Sequence, residues 1–340
     1  MRAVICNELA PPESLTVTES PDPDCGPGRV RVEVAAAGLN FVDALFVQGL
    51  YQIKPPVPFT PGSELAGTVV EVGEGVDDWS VGDRVLANVG LGAYCDQIVL
   101  SPRQLVNVPD GVDLLTAASL GQSYCTAWFA LAERAHLREG QWLLVLGAAG
   151  GVGLAAVDVG RAFGARVIAA ASTPEKLAVC AAQGAEATID YSAESLKDRA
   201  REISGGGVDV AYDPVGGQLS DQALRSLGFD GQLLVIGFAS GDIPALPANQ
   251  VLLRNRRVIG VDWGAWAMAN PEANAALLDS VLERVADGTL HPIAPTTYPL
   301  ELAGAALRDL MDRRVTGKAV LVPTTDRHPT TPNHTERPTP

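Results

Sequence analysis

Apolar runs and turn residues divide the chain into stretches of different rhythm. Over residues 1–120 the apolar positions come in short groups: 30–34 alternates, and 69–72 and 84–89 are further strand signals. Between the groups stand Pro21-Asp22-Pro23, Gly26-Pro27-Gly28, Pro61-Gly62, Gly73-Glu74-Gly75 and Gly82-Asp83. Alternation puts every second side chain on one face, and proline and glycine close each run. This stretch therefore predicts many short strands in a small barrel or sandwich. A helical pattern over 115–133 leads out of it.

From 140 to 262 the rhythm changes. Apolar strands at 142–146, 166–171, 188–190, 208–213, 232–236 and 257–261 alternate with helical segments. Ser172 and Thr173 precede Pro174 at a helix start, Gly184 follows that helix, and Ser192 is placed to cap the helix through Ile203. Such alternation predicts an α/β fold with a doubly wound parallel sheet. Beyond 264, helices are expected at 271–286, between Asn270 and Gly288, and at 301–313, followed by a strand at 319–323. Residues 324–340 hold six threonines and four prolines and no apolar side chain to bury, which predicts a disordered tail.

The strand at 142–146 runs into Gly147-Ala148-Ala149-Gly150-Gly151-Val152-Gly153, and a helical pattern continues through Leu154, Val157 and Phe163. Strand, glycine turn and helix in that order suit a dinucleotide, although Ala148 stands where the usual fingerprint has its first glycine. Gly150 lets backbone approach a pyrophosphate, Gly153 lets the helix pack on the strand, and free N–H groups at the helix start bind phosphate. Ala149, Gly150, Gly151, Val152 and Gly153 are the candidate phosphate-binding residues. The plainer alternative is a glycine-rich connection with no ligand.

An NAD site usually places an acid at the end of the second strand, to hold the ribose 2′-hydroxyl. Here 166–171 leads into Ser172-Thr173-Pro174-Glu175-Lys176, with no acid at the strand end. Ser172 can donate to a 2′-phosphate, and Lys176, one turn into the next helix, supplies a cation. The expected cofactor is therefore NADPH. A helix cap and a solvated lysine would explain the same residues, and both readings can hold together.

Composition narrows the partners. A formal charge of −15 argues against a nucleic-acid surface. Five cysteines with no C-x-x-C spacing suggest buried thiols in a reducing compartment. The N-terminus lacks the apolar core of a signal peptide, and a cytoplasmic location is expected. Residues 142–157 are uncharged, but their glycines and the adjoining Asp158 suit a buried strand and helix better than a membrane span.

Six stretches in order complete the picture: Gly38-Leu39-Asn40-Phe41-Val42-Asp43, Pro61-Gly62-Ser63-Glu64-Leu65-Ala66-Gly67, Tyr124-Cys125-Thr126-Ala127-Trp128, the 147–153 turn, Asp213-Pro214-Val215-Gly216-Gly217 and Gly317-Lys318. Through them the chain, over about residues 1–323, resembles the medium-chain dehydrogenase/reductase superfamily. Within it the likeness is to the zinc-free NADPH:quinone oxidoreductases, the zeta-crystallin-like group. The resemblance implies a GroES-like β-rich catalytic domain over 1–122, a Rossmann NADPH-binding domain over 123–263 and a return to the catalytic domain over 264–323. A homodimer is also implied.

The zinc-dependent relatives carry a cysteine where this chain has Asn40, and Gly-His-Glu where it has Gly62-Ser63-Glu64. Asparagine and serine do not replace the thiolate and imidazole that zinc prefers, so no metal is expected. The four histidines, His136, His291, His328 and His334, show no ligand spacing. Without a Lewis acid, reduction of an activated acceptor is easier than alcohol oxidation. The expected reaction is hydride transfer from NADPH to a quinone or similar conjugated carbonyl. The alternatives are an enoyl-thioester or enone (2-alkenal) reductase of the same fold and, from another class, a non-catalytic NADPH-binding protein.

Residue by residue, the resemblance assigns Asn40, Tyr51 and Thr126 to the catalytic pocket. Asn40 faces the nicotinamide, Tyr51 donates to the carbonyl or walls the site, and Thr126 bonds nicotinamide or ribose. A loop-stabilising asparagine and a threonine bonded to its own helix are the bland alternatives, and Asp43 is read as a loop brace. Ser172, Lys176 and Tyr191 match the 2′-phosphate contacts. Phe238 and Ala239 match a loop near the nicotinamide or form an ordinary strand-to-loop exit, Trp263 contacts nicotinamide or lies at the dimer interface, and Lys318 matches a family position near the cofactor.

Overall fold

The computed structural model describes residues 1–323, and the tail expected over 324–340 lies outside the described residues. Two large sheets organise the chain. The first has seven strands, ordered Thr296–Pro299, Ala319–Val322, Val30–Leu39, Glu64–Val72, Arg84–Asn88 and Leu105–Asn107, with Gln97–Leu100 also pairing Val30–Leu39. Along 30–34 the side chains Val30, Val32 and Val34 are buried while Arg31 and Glu33 are not, as alternation requires. The strand Ala319–Val322 joins antiparallel, setting Ala319 against Leu39 and Val320 against Gly38. The C-terminal segment thus completes a sheet begun near the N-terminus.

The second sheet is parallel and has six strands. Counted in chain order from Trp142–Val145, through Arg166–Ala171, Ala187–Asp190, Val208–Asp213, Leu227–Val235 and Arg257–Gly260, they lie as 3-2-1-4-5-6. This is the doubly wound order. Its central strands are wholly apolar at Leu143, Leu144, Val145, Val167 and Ile168, because helices cover both faces. Order reverses between Trp142–Val145 and Val208–Asp213, and a crevice opens there at the strand ends.

Local corrections have local causes. The helix expected at 115–133 breaks into Leu114–Ala117, Gly121–Trp128 and a wider turn, Phe129–Arg134. Ser195, rather than Ser192, caps the helix Leu196–Ile203 by accepting from the Asp198 N–H at 3.3 Å. The Ser192 hydroxyl instead donates to Asp190 Oδ1 at 2.5 Å. Thr173 caps Pro174–Ala182 as expected. Polar or very short elements carry little pattern, and the paired strands Arg2–Ile5 and Thr16–Glu19, the strand Thr296–Pro299 and the helix Gly217–Ser226 had no clear signal.

The two sheets meet at the glycine turn. The Gly317 N–H donates to Ala149 O at 2.8 Å, and Gly150 bridges Gly317 in parallel register. Leu278, Val281 and Leu282 of the helix Pro271–Ala286 share one core with Leu86 and Val106 of the first sheet and Leu143 of the second. Buried Asp158 adds a polar tie: its carboxylate accepts from Tyr124 Oη at 2.9 Å, Arg161 Nη2 at 2.8 Å and the His291 N–H at 2.6 Å. No helix among the described residues is long and apolar enough to cross a membrane.

Candidate active site

At this seam a cleft runs from the glycine turn to the first sheet. Of the expected site residues, Asn40, Ala149, Gly150, Gly151, Val152, Ser172, Lys176, Tyr191, Ala239 and Lys318 line it. The helix Gly151–Ala162 begins there with Gly150 as its cap and no side chain capping its first N–H groups. A Cβ on Gly150 would meet only Gly147 O, at 3.4 Å, so its backbone is open to a ligand. Gly153 plays the other part: a Cβ there would lie 2.4 Å from Gly147 O, so it holds the helix against the turn and does not line the cleft. Uncapped donors on a twelve-residue helix, with bare backbone beside them, fit a dinucleotide pyrophosphate.

Ser172, Lys176 and Tyr191 gather near the end of Arg166–Ala171. The Tyr191 N–H reaches Ala171 O at 3.1 Å, which brings the two neighbouring strand ends together. Lys176 Nζ donates to Arg313 O at 3.0 Å. Arg313 also lines the cleft and reaches Ala239 O with Nη2 at 3.5 Å. It was missed from the sequence, where nothing separates it from Arg308 or Arg314; its left-handed backbone, φ 59°, is visible only in the fold.

A buried polar cluster closes the opposite side. Glu64, fully buried, accepts from Lys318 Nζ at 2.7 Å and Asn40 Nδ2 at 2.8 Å on Oε1, and from the Gln122 N–H at 2.7 Å on Oε2. Lys318 Nζ also donates to Leu39 O at 3.1 Å and Asn40 Oδ1 at 2.6 Å. These partners fix the Asn40 amide orientation, since an ammonium only donates and a carboxylate only accepts. The second Asn40 amide hydrogen goes to Ser63 Oγ at 3.2 Å. The Asn40 carboxamide therefore has no free hydrogen for a ligand. Gly38 is required here because a Cβ would come within 2.3 Å of Glu64 Oε1.

Asp43 braces the Asn40 loop. Its Oδ2 accepts from the Asn40 N–H and from Tyr94 Oη, both at 2.9 Å, and it caps the helix Phe41–Gln48 with Asn40. Burial pushes its carboxyl up from 3.8 to about 7, against these hydrogen bonds and the Lys318 charge. The native state thus keeps a proton that the unfolded chain has lost between about pH 4 and 7. Its contribution to stability falls as pH rises through that window and is level above it. Asp43→Asn should remove this fall, worth up to about 4 kcal/mol at 1.36 kcal/mol per pH unit. Urea unfolding at pH 4.5 and 8 measures it, and an unchanged difference between the two would contradict it.

Tyr51, Thr126, Phe238 and Trp263 do not line the cleft. Tyr51 packs edge-on against Phe46, and burial and then the Asp262 charge raise its phenol. Thr126 is buried, and its hydroxyl bonds no described residue, its own helix included. Phe238 is 37 % exposed, and Trp263 is buried with Nε1 unpartnered among the described residues. No group of three or more His, Cys, Asp or Glu side chains among the described residues is arranged to hold a metal.

Comparison with known proteins agrees with this geometry. Residues 26–110 match the alcohol dehydrogenase GroES-like domain, and 151–281 match the zinc-binding dehydrogenase family. The chain is 38 % identical over 322 residues to quinone oxidoreductase-like protein 2 of Mus musculus, covering 94 % of this chain and 91 % of the relative. It is 36 % identical over 317 residues to a quinone oxidoreductase of Pseudomonas aeruginosa, covering 92 % and 96 %. The crystal structure of Escherichia coli quinone oxidoreductase complexed with NADPH superposes with a TM-score of 0.88 at 28 % identity, covering 95 % of this chain and all of that one. The chain is an oxidoreductase of the medium-chain dehydrogenase/reductase superfamily and belongs to its zinc-free quinone oxidoreductase family.

Proposed function

We propose that this protein binds NADPH in the cleft and reduces a quinone or similar conjugated carbonyl without a metal. The observation that carries the reading is the convergence of three features on one cleft. The open glycine turn suits the pyrophosphate, Ser172, Lys176, Tyr191 and Arg313 suit a 2′-phosphate, and the Asn40–Glu64–Lys318 cluster stands at the far side. NADPH, when bound, supplies the hydride. The chain's own task is to hold two reactants in line and stabilise the charge that develops on the acceptor's oxygen. The donor set at Asn40 and Ser63 offers neither thiolate nor imidazole, which supports metal-free chemistry.

The domain division at 1–122, 123–263 and 264–323 is proposed with it, as is a cytoplasmic home for the free thiols, four of them buried. NADPH consumption with a quinone, a 2-alkenal and a 2-enoyl-CoA tests the function. Turnover with the quinone or alkenal is expected. A strong preference for the enoyl-CoA would replace the acceptor, and activity with none would favour a binding protein.

A homodimer is also proposed. Arg257–Gly260 is an edge strand of the parallel sheet, and its Val258, paired with Leu233 of the neighbouring strand, is exposed. An apolar open edge favours pairing with a second copy. Val258→Lys should shift the wild-type dimer toward monomer in sedimentation; a monomeric wild type would contradict the proposal.

A further inference from the structure

Around Asn40 nearly every polar hydrogen already has an acceptor. Lys318 directs its three N–H groups to Leu39 O, Asn40 Oδ1 and Glu64 Oε1. Asn40 Nδ2 gives its two hydrogens to Glu64 and Ser63. The exception is the Ser63 hydroxyl. It receives the Asn40 hydrogen, but its own O–H donates to no described residue, although Ser63 is only 7 % exposed. A buried donor without an acceptor costs stability, and such a group is ordinarily completed by water or by a ligand.

The geometry also restricts that hydrogen. Ser63 does not itself line the cleft; its Oγ lies 3.2 Å from the amide nitrogen of Asn40, which does. With one lone pair taken by that N–H, the hydroxyl hydrogen must turn away from Asn40. The Ser63 backbone is held too, since its carbonyl accepts from the Val89 and Gly90 N–H groups at 2.9 and 3.2 Å. The Thr126 and Tyr51 hydroxyls also lack partners, but nothing among the described residues orients Thr126, and Tyr51 feels the Asp262 carboxylate, a poor neighbour for a developing anion.

We propose that the Ser63 hydroxyl is a catalytic residue, donating the hydrogen bond to the acceptor's carbonyl oxygen, and that Asn40, Glu64 and Lys318 are the positioning residues that aim it. The inference rests on the reading of hydride delivery to a conjugated carbonyl. In that step a hydride, one hydrogen with two electrons, leaves NADPH and bonds to an acceptor carbon. NADPH is oxidised to NADP+, and the conjugated electron pair moves onto the carbonyl oxygen. Ser63 stabilises that oxygen as a donor and keeps its proton; water supplies the proton that completes reduction. A hydroxyl fixed before reaction stabilises the anion without reorganising at the moment of transfer.

The test compares wild type with Ser63→Ala, Ser63→Thr and Ser63→Val, using a benzoquinone as acceptor and tryptophan fluorescence to follow NADPH binding. Ser63→Ala is expected to lower kcat roughly 10²-fold with little change in the NADPH Kd. Ser63→Thr should exceed Ser63→Val, its near-isostere lacking the hydroxyl, by at least about tenfold. That comparison holds even if Ser63→Ala folds poorly. Equal rates for the Thr and Val variants, or a Ser63→Ala rate equal to wild type, would overturn the assignment. A wild type that oxidises NADPH with no conjugated carbonyl would instead overturn the functional reading on which it rests.

Discussion

Lys176→Glu is expected to raise the KM for NADPH on the order of 10²-fold while leaving that for NADH within about threefold, because only NADPH presents a doubly charged 2′-phosphate. Lys176 starts about one turn into Pro174–Ala182, and its ammonium already reaches across the cleft to Arg313 O. A phosphate placed between Ser172, Lys176 and Arg313 would receive a neutral donor and two cations. Reversing one charge removes an attraction and adds a repulsion in the same place. NADH has a hydroxyl there and loses little. Steady-state kinetics with both cofactors decide the matter, and equal effects would remove Lys176 from the 2′-phosphate site.

Lys318→Met should cost about 3–5 kcal/mol of stability, since it leaves a buried carboxylate without its cation. The Glu64 side chain is wholly buried and that of Lys318 is 9 % exposed, so water cannot take over the role. Two other donors, Asn40 Nδ2 and the Gln122 N–H, remain on Glu64 and soften the loss. Adding Glu64→Gln should recover part of the stability, because an amide tolerates the missing charge. Urea unfolding of the two single variants and the double variant measures the coupling. A Lys318→Met cost below about 1 kcal/mol would mean that Glu64 and Lys318 do not behave as a buried ion pair.

Much of the fold was legible in the sequence because the physics was local. Apolar runs of strand length, separated by helices, gave the parallel sheet, and Gly147–Gly153 sits at its switch point. Ser172 and Lys176 could be placed because the end of a parallel strand fixes the position of the next few residues. The Asn40 role was harder. Its neighbours in sequence say nothing of Glu64 or of Lys318, 278 residues away, and only the pairing of Ala319–Val322 with Val30–Leu39 brings them together. The sequence placed Asn40 at the pocket, and it does line the cleft, but only the fold shows that its amide hydrogens are already committed to Glu64 and Ser63. Arg313 depends on a left-handed residue after Ala303–Met311, a geometry with no residue-type signature in arginine.

The central claim is that this cleft delivers hydride from NADPH to a conjugated carbonyl by positioning and hydrogen bonding alone. Its most direct test is the purified protein dialysed against a chelator, with metal content and NADPH-dependent benzoquinone reduction measured on the same sample. Undiminished reduction by protein carrying far less than one metal per chain is the predicted result. Reduction that vanishes on chelation and returns with zinc would contradict it.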